Sequence, residues 1–524
     1  MHQNRLSVRL LRVLQQYDRQ VLLWLGFVAS FYLFWNTGIH GDDYSVISEM
    51  KGLNLTDFLN INGDHSLMMG LSTYFLFWWA YPFVDINNFY IYDVVKFFSH
   101  ILSVWLVYRF SIDYLPQDRA FLSAVFFVFN PMHEATEYWY MTVPYVLAPA
   151  LIMCAHGLVR RQDYTKSLMV GIIGSFMGYM SPPYAFGLAV IFLIEKSYKK
   201  AAIFLIPGVI YIIYYFSISS LHPAAERRVQ FDMTISKWLQ NFIVQFVAFF
   251  DSFIGPSFFF KIFYSISSIG FMSWFLALVV CILIRVYFRS KRGSISASLF
   301  WGLVAVLFLS FGMLSLADIY GHRVFNLGNR LSVYGALLAT FLFMSLPLTR
   351  KLLAALALFF VFPIFGVSDH WKAWNAHQVG VVKKIQVNAE LLSLKKDDIL
   401  LVSGNMYSRL GPFSHIDFFN MPWVVTAIFQ EAVKTRSIIP LNTYAYLDGD
   451  LIVDPKSVVS IAVTKDFYLY DSDKDKLTMI LRAELPNILA TRPLEMRHWA
   501  QLAKGTWIEI GIATLSPRLS SFFH

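Results

Sequence analysis

Two adjacent carboxylates, Asp42 and Asp43, stand in Gly41-Asp42-Asp43-Tyr44, directly after the first apolar run from Trp24 to Trp35. A positioned carboxylate can take a proton from a reacting hydroxyl, and a pair of them also suits Mg²⁺ or Mn²⁺. Asp64-His65 follow some twenty positions on. A second cluster is His133-Glu134 with Glu137, Tyr138 and Trp139, and a third is His322-Arg323 with Arg330, just before a late apolar run. Cations at that point suit a phosphate. Each cluster has a plainer reading. Asp42 and Asp43 read equally as solvated loop acids, and Glu134 as a helix N-terminal charge. Arg323 and Arg330 also read as anchors on anionic head groups. His65, His133 and His322 read as structural, since no pair of them has the spacing of a zinc site.

The elements that must position these groups are membrane helices. The chain has 524 residues, 57% hydrophobic and only 15% charged, with a mean hydropathy of +0.52. A soluble chain carries about a quarter charged residues, so a soluble globular protein is excluded. The net charge of +9 comes from short Lys/Arg clusters between apolar runs and forms no stripe for nucleic acid. Cys154 and Cys281 both lie in apolar runs, which leaves no disulfide framework. The first run has a basic leader without a small-residue cleavage site and reads as a retained span.

Runs long enough to approach the ~20 residues of a span lie near 20–36, 66–82, 86–108, 120–131, 144–159, 167–180, 184–195, 201–220, 265–288, 297–317, 331–347 and 351–367. Charge parity decides which of them cross. If Ser66 to Pro82 crossed, every basic cluster after the N-terminal one would fall outside; if it does not, all six fall on the cytoplasmic side. Its small and polar residues Ser66, Gly70 and Thr73 share a helical face, as in a helix lying at the interface. The expectation is therefore eleven spans in residues 1–368. The N-terminus is cytoplasmic, and 37–85 is one long external loop. Segments 132–143 and 318–330 are external as well.

From 369 to 524 the composition is that of a soluble α/β domain on the external side. Trp371, Trp374, Val381, Ile385 and Leu392 recur at helical spacing. Ile399 to Ser403, Leu447 to Val453, Val458 to Val463 and Trp507 to Ile512 read as strands. Whether the apolar run Trp238 to Phe260 re-enters the membrane or lies flat stays open at this stage.

In the Asp-Asp-Tyr motif of a long first external loop, and in Pro131-Met132-His133-Glu134 with Trp139 after span three, the chain resembles the GT-C superfamily of integral membrane glycosyltransferases. The loop from Arg323 to Arg330 is similar to that family's phosphate-binding region. The resemblance implies an inverting glycosyltransferase with a polyprenyl-phosphate sugar as donor and a hydroxyl of a glycan, lipid or protein as acceptor. It implies Asp43 or Asp42 as base, with Asp43 the first choice, and a leaving phosphate held by Arg330, Arg323 or His322. Glu134 would hold the acceptor or orient a cation, with Tyr44, His65, His133 and Glu137 as secondary residues. A monophosphate donor requires no metal, although Mg²⁺ or Mn²⁺ is compatible with the acid pair. The Asp-Asp-Tyr form is similar to that of bacterial enzymes, which implies a bacterial inner membrane with a periplasmic C-terminal domain. The alternatives are a transporter or flippase of lipid-linked sugars, an O-antigen polymerase or ligase, and a structural membrane protein.

Overall fold

The computed structural model describes residues 19–50, 83–221, 233–287, 295–317, 323–347, 349–433 and most of 435–523, with isolated positions at 72, 76 and 79. His65, His322 and nearly all of the interfacial stretch Ser66 to Pro82 lie outside the described residues.

The runs expected to span hold the helices Arg19–Phe34, Tyr90–Ser111, Gln117–Val128, Pro144–Arg160, Tyr164–Phe176, Pro182–Ile194, Tyr198–Leu221, Phe271–Tyr287, Ala297–Leu316, Val333–Ser345 and Arg350–Val387, which does not establish eleven crossings. Among the described residues, five meet the length and apolarity of a membrane crossing. The others include Gln117–Val128, whose 12 residues give about 18 Å at 1.5 Å per residue, well short of the hydrocarbon layer. The run left open, Trp238 to Phe260, forms Ile235–Phe253 and Pro256–Ser267, bent by 42° at the break. Gly255 and Pro256 sit at that break, where a proline opens the second helix without needing an amide partner. Counted as one broken span, the pair raises the five to six.

Polar contacts gather at the two ends of the helix bundle. At one end Arg160 bonds Tyr114 and Glu195, Ser298 bonds Glu195, and Lys200 reaches the Arg160 carbonyl. Arg119 at the same end holds the carbonyls of Met344 and Leu346 at 2.6 Å each. These are the cationic loops that charge parity assigns to the cytoplasm. The acidic loops meet at the other end, together with the C-terminal region. Atoms in contact cannot be separated by a bilayer, so these segments share one membrane side; which side it is rests on the charge argument.

The helix Arg350–Val387 runs unbroken through the expected boundary at 368, and the first strand begins at Ile399. It carries Trp371, Val381 and Ile385 buried, as their spacing requires. A four-stranded sheet follows in the order Ser437–Pro440, Ile399–Ser403, Phe467–Asp471, Lys476–Ile480. Ile399–Ser403 pairs parallel to Ser437–Pro440 with Ile399 opposite Ser437, and the helix Pro422–Gln430 lies on the crossover between them. That helix packs against Asp43–Met50, and Ile39, Tyr44 and Ile47 share one apolar cluster with Phe418, Val424 and Ile428.

Two strand expectations are corrected. Leu447 to Val453 is a hairpin of the strands Tyr446–Asp448 and Leu451–Asp454, turned at Gly449 with φ +59°. Trp507 to Ile512 belongs to a helix, Trp507–Leu515, because Thr506 caps it by accepting the Glu509 amide.

Candidate active site at the loop end of the bundle

The acidic loop begins where Arg19–Phe34 ends, and a buried ion pair anchors it. Asp93 and Lys96, one turn apart on Tyr90–Ser111, lie 2.8 Å apart and are enclosed. Asp93 Oδ1 accepts from the Thr37 hydroxyl and the Gly38 amide, both at 3.0 Å. Lys96 Nζ donates to the Gly38 carbonyl at 2.7 Å and the Tyr138 carbonyl at 3.1 Å, tying the first loop to the second. The opposite face of this helix exposes Phe98, Leu102 and Trp105, the inside-out polarity of a helix that meets lipid.

Gly41 follows with φ +51°, and the loops close around it. A methyl group there would sit 3.1 Å from both Trp139 and Leu327. The Gly41-Asp42-Asp43-Tyr44 turn, the loop of Glu134 and the loop of Arg330 therefore touch at one point. Asp43 opens the helix Asp43–Met50 and is fully buried. Its Oδ2 accepts the His40 amide and its Oδ1 the Met141 amide, both at 3.1 Å. Burial pushes its carboxyl up to about 7, against the pull of those amides and of Lys96. Asp42 is only half-buried, and its Oδ1 accepts the Trp423 indole N–H at 2.6 Å. The tyrosine of the motif, Tyr44, is buried against Phe418.

In the second loop Glu134 is the hub of a buried cluster. Its Oε1 meets Lys261 Nζ at 2.5 Å, Asn329 Nδ2 at 2.7 Å and His415 Nε2 at 2.9 Å. Asn329 is oriented by accepting the Ala135 amide at 3.1 Å. The Asn326 amide points at His415 Nδ1 from 3.2 Å, which makes Nδ1 the acceptor and Nε2–H the donor to Glu134. His415 fits that tautomer, its pKa being pushed down to about 4 by burial and by the Lys261 charge. Burial alone would raise Glu134, but Lys261 and His415 outweigh it and hold the carboxyl below its usual range. Its other oxygen, Oε2, is buried and has no hydrogen-bond partner among the described residues. Glu137, one turn on, is held well above the carboxylate range by burial and by the Glu134 charge. His133 faces back into its own loop, donating from Nε2 to the Phe127 carbonyl at 2.8 Å.

Arg330, half-buried, donates to the Leu327 carbonyl at 2.8 Å and lies over the rings of Trp139 and Tyr145, at 5.0 and 5.8 Å from their centroids. Arg323 stays in its own turn, its Cδ beside Gly328, with Tyr444 of the C-terminal region within its field. Arg497 of the C-terminal region pairs with Asp417 and Glu495. Tyr145 leads onward, because its hydroxyl meets that of Tyr179 at 2.6 Å. Tyr179 lines an apolar cavity of about 1120 Å³ between four helices, walled by residues such as Phe186, Tyr215, Trp238, Phe308 and Met313. The acids themselves do not line that cavity.

Among the described residues, no three His, Cys, Asp or Glu side chains come together as a metal-binding group. Both Asp43 oxygens and Asp42 Oδ1 each accept from an N–H donor, and Glu134 Oε1 is held by Lys261.

The structure thus brings together Asp42, Asp43, Tyr44, Glu134, Glu137 and Arg330, turns His133 back into its own loop, sets Arg323 beside Gly328, and adds residues that sequence reasoning missed. Those are Asp93, Lys96, Lys261, Asn329, His415 and Trp423. Charged residues inside apolar runs were a readable signal for three of them, Asp93, Lys96 and Lys261. No protein-family model and no curated protein matches the chain. Among solved structures, the crystal structure of ArnT from Cupriavidus metallidurans bound to undecaprenyl phosphate aligns over 80% of this chain and 89% of that one. Identity is 10% and the TM-score 0.34, so the likeness carries no functional argument.

Proposed function

We propose that this multi-pass chain is an inverting glycosyltransferase that moves a sugar from a polyprenyl-phosphate donor to an acceptor hydroxyl outside the membrane. One observation carries the reading: the acidic first loop, the Glu134 loop and the Arg330 loop meet at Gly41, and Tyr145 and Tyr179 join Arg330 to a long apolar cavity. An anionic head on an apolar tail fits that sequence of surfaces. The tail lies in the cavity, and the phosphate sits at Arg330.

Asp42 is the better placed base. Asp43 has the pKa suited to the task, but reach comes before pKa. Both of its oxygens are spent on backbone amides inside the protein, so it anchors the turn. Asp42 is only half-buried, and the Trp423 indole orients its Oδ1. It takes the acceptor proton as the acceptor oxygen attacks the anomeric carbon. The bond from that carbon to the phosphate oxygen breaks, and the polyprenyl phosphate departs as an anion opposite Arg330. A general base contributes roughly 10²–10⁴-fold, and an electrostatic group facing the leaving charge adds about 10²–10³. Glu134 is assigned to the acceptor through Oε2, the oxygen that Lys261, Asn329 and His415 do not hold. The location proposed with it, on the Asp-Asp-Tyr form and the charge parity, is a bacterial inner membrane with the C-terminal region in the periplasm.

Incubating the purified chain with polyprenyl-phosphate sugars carrying a radiolabel, plus a membrane extract, tests the reading. Label should leave the donor and reach a hydroxyl-bearing acceptor with inverted configuration. Label retained on every donor, by a protein that still unfolds cooperatively, would overturn it.

A further inference from the structure

Lys261 is fully buried, and nothing in the proposed transfer chemistry calls for it. It projects from Pro256–Ser267, just past the break at Gly255. The helix Arg350–Val387 presses that segment inward, with Gly366 so near the Ser265 carbonyl that a methyl group there would overlap it. Lys261 Nζ meets Glu134 Oε1 at 2.5 Å, the Val324 carbonyl at 3.2 Å and the face of Phe325 at 5.4 Å. The ammonium therefore has a carboxylate, a carbonyl and a ring around it, donors that a hard cation would also find. Glu134 Oε2 and Glu137 Oε1 are buried carboxyl oxygens without hydrogen-bond partners among the described residues, and the Glu137 carboxylate lies within the field of Lys261.

We infer that Lys261 is the resident cation of this centre. It occupies the place at Glu134 where a divalent ion would bind, so the centre takes no metal while the lysine is present. Lys261 is then a positioning residue. It neutralises Glu134, fixes Oε1 together with Asn329 and His415, and leaves Oε2 for the acceptor. That last role rests on the proposed transfer reaction, whereas the cation assignment does not. Removing the ammonium should expose carboxyl oxygens from Glu134 and Glu137 beside the Val324 carbonyl, a set of oxygen donors suited to Mn²⁺.

The test is Mn²⁺ titration of the detergent-purified full chain, followed by electron paramagnetic resonance and needing no sugar transfer. Wild type should show no Mn²⁺ binding that depends on Glu134, judged against Glu134→Gln. Lys261→Met should gain a stoichiometric Mn²⁺ site that disappears in the Lys261→Met, Glu134→Gln double variant. A purely structural lysine would produce no such gain. Glu134-dependent Mn²⁺ binding by wild type overturns the inference even if the lysine variant does not fold, and so does a folded Lys261→Met that binds no more Mn²⁺ than wild type. Loss of transfer in wild type would count against the proposed reaction and leave these readings intact.

Discussion

Replacing Asp43 with asparagine should change stability by an amount that depends on pH, and the sign can be worked out. The side chain is fully buried, and burial lifts its pKa from 3.8 to about 7. An acid whose folded pKa lies above its unfolded one favours the folded state fully below the unfolded value. That advantage is lost as pH rises through the folded value. Wild type thus gives up stability between about pH 4 and about pH 7. At about 1.4 kcal/mol per pH unit, the gap between 3.8 and about 7 is on the order of 4 kcal/mol. Asparagine cannot ionise and lacks this slope. It also turns an NH₂ toward one of two amides, of His40 or Met141, that now donate to Asp43. A lost partner of that kind costs about 1–3 kcal/mol at every pH. Asp43→Asn should therefore be less stable than wild type at pH 5, with the deficit shrinking or reversing by pH 8. Thermal unfolding of the purified full chain across that range measures the difference. A difference in Tm that stays constant from pH 5 to pH 8 would refute the assignment of a buried carboxyl ionising near neutrality.

Two further outcomes probe the donor side. Arg330→Ala removes the half-buried cation over Trp139 and Tyr145. A charge-assisted contact is worth about 1.5–3 kcal/mol, so the donor KM should rise roughly ten- to a hundredfold; an unchanged donor KM would take Arg330 out of the site. Ala305→Trp places a large ring inside the apolar cavity. It should weaken use of long-chain donors while sparing a donor with a single isoprene unit, and equal loss with both would separate the cavity from the donor tail.

The acidic loops were legible because their chemistry is concentrated in a few residues next to apolar runs, and parity of the basic clusters grouped them before any contact was known. The contacts at Gly41 agree with that grouping. What holds each acid was not legible. Lys261 lies 127 positions from Glu134, and Trp423 lies 381 from Asp42. Pairing over such separations leaves no periodicity to read. Asp93 and Lys96 were more accessible, since an acid and a base one turn apart inside an apolar run must face inward together. The misread strands have local causes. Trp507 to Ile512 has partial period-two alternation, but the cap from Thr506 to Glu509 satisfies an exposed helical amide and decides for helix. At Leu447 to Val453, apolar residues on both sides hid the Asp448-Gly449 turn signal.

The account stands most directly on Asp42, and the measurement is release of free polyprenyl phosphate from a labelled sugar donor by wild type and by Asp42→Asn at saturating substrate. A general base accounts for about 10²–10⁴-fold. The rate in Asp42→Asn should fall by that factor, with unfolding temperature and donor binding unchanged. Release at the wild-type rate in Asp42→Asn would contradict the account.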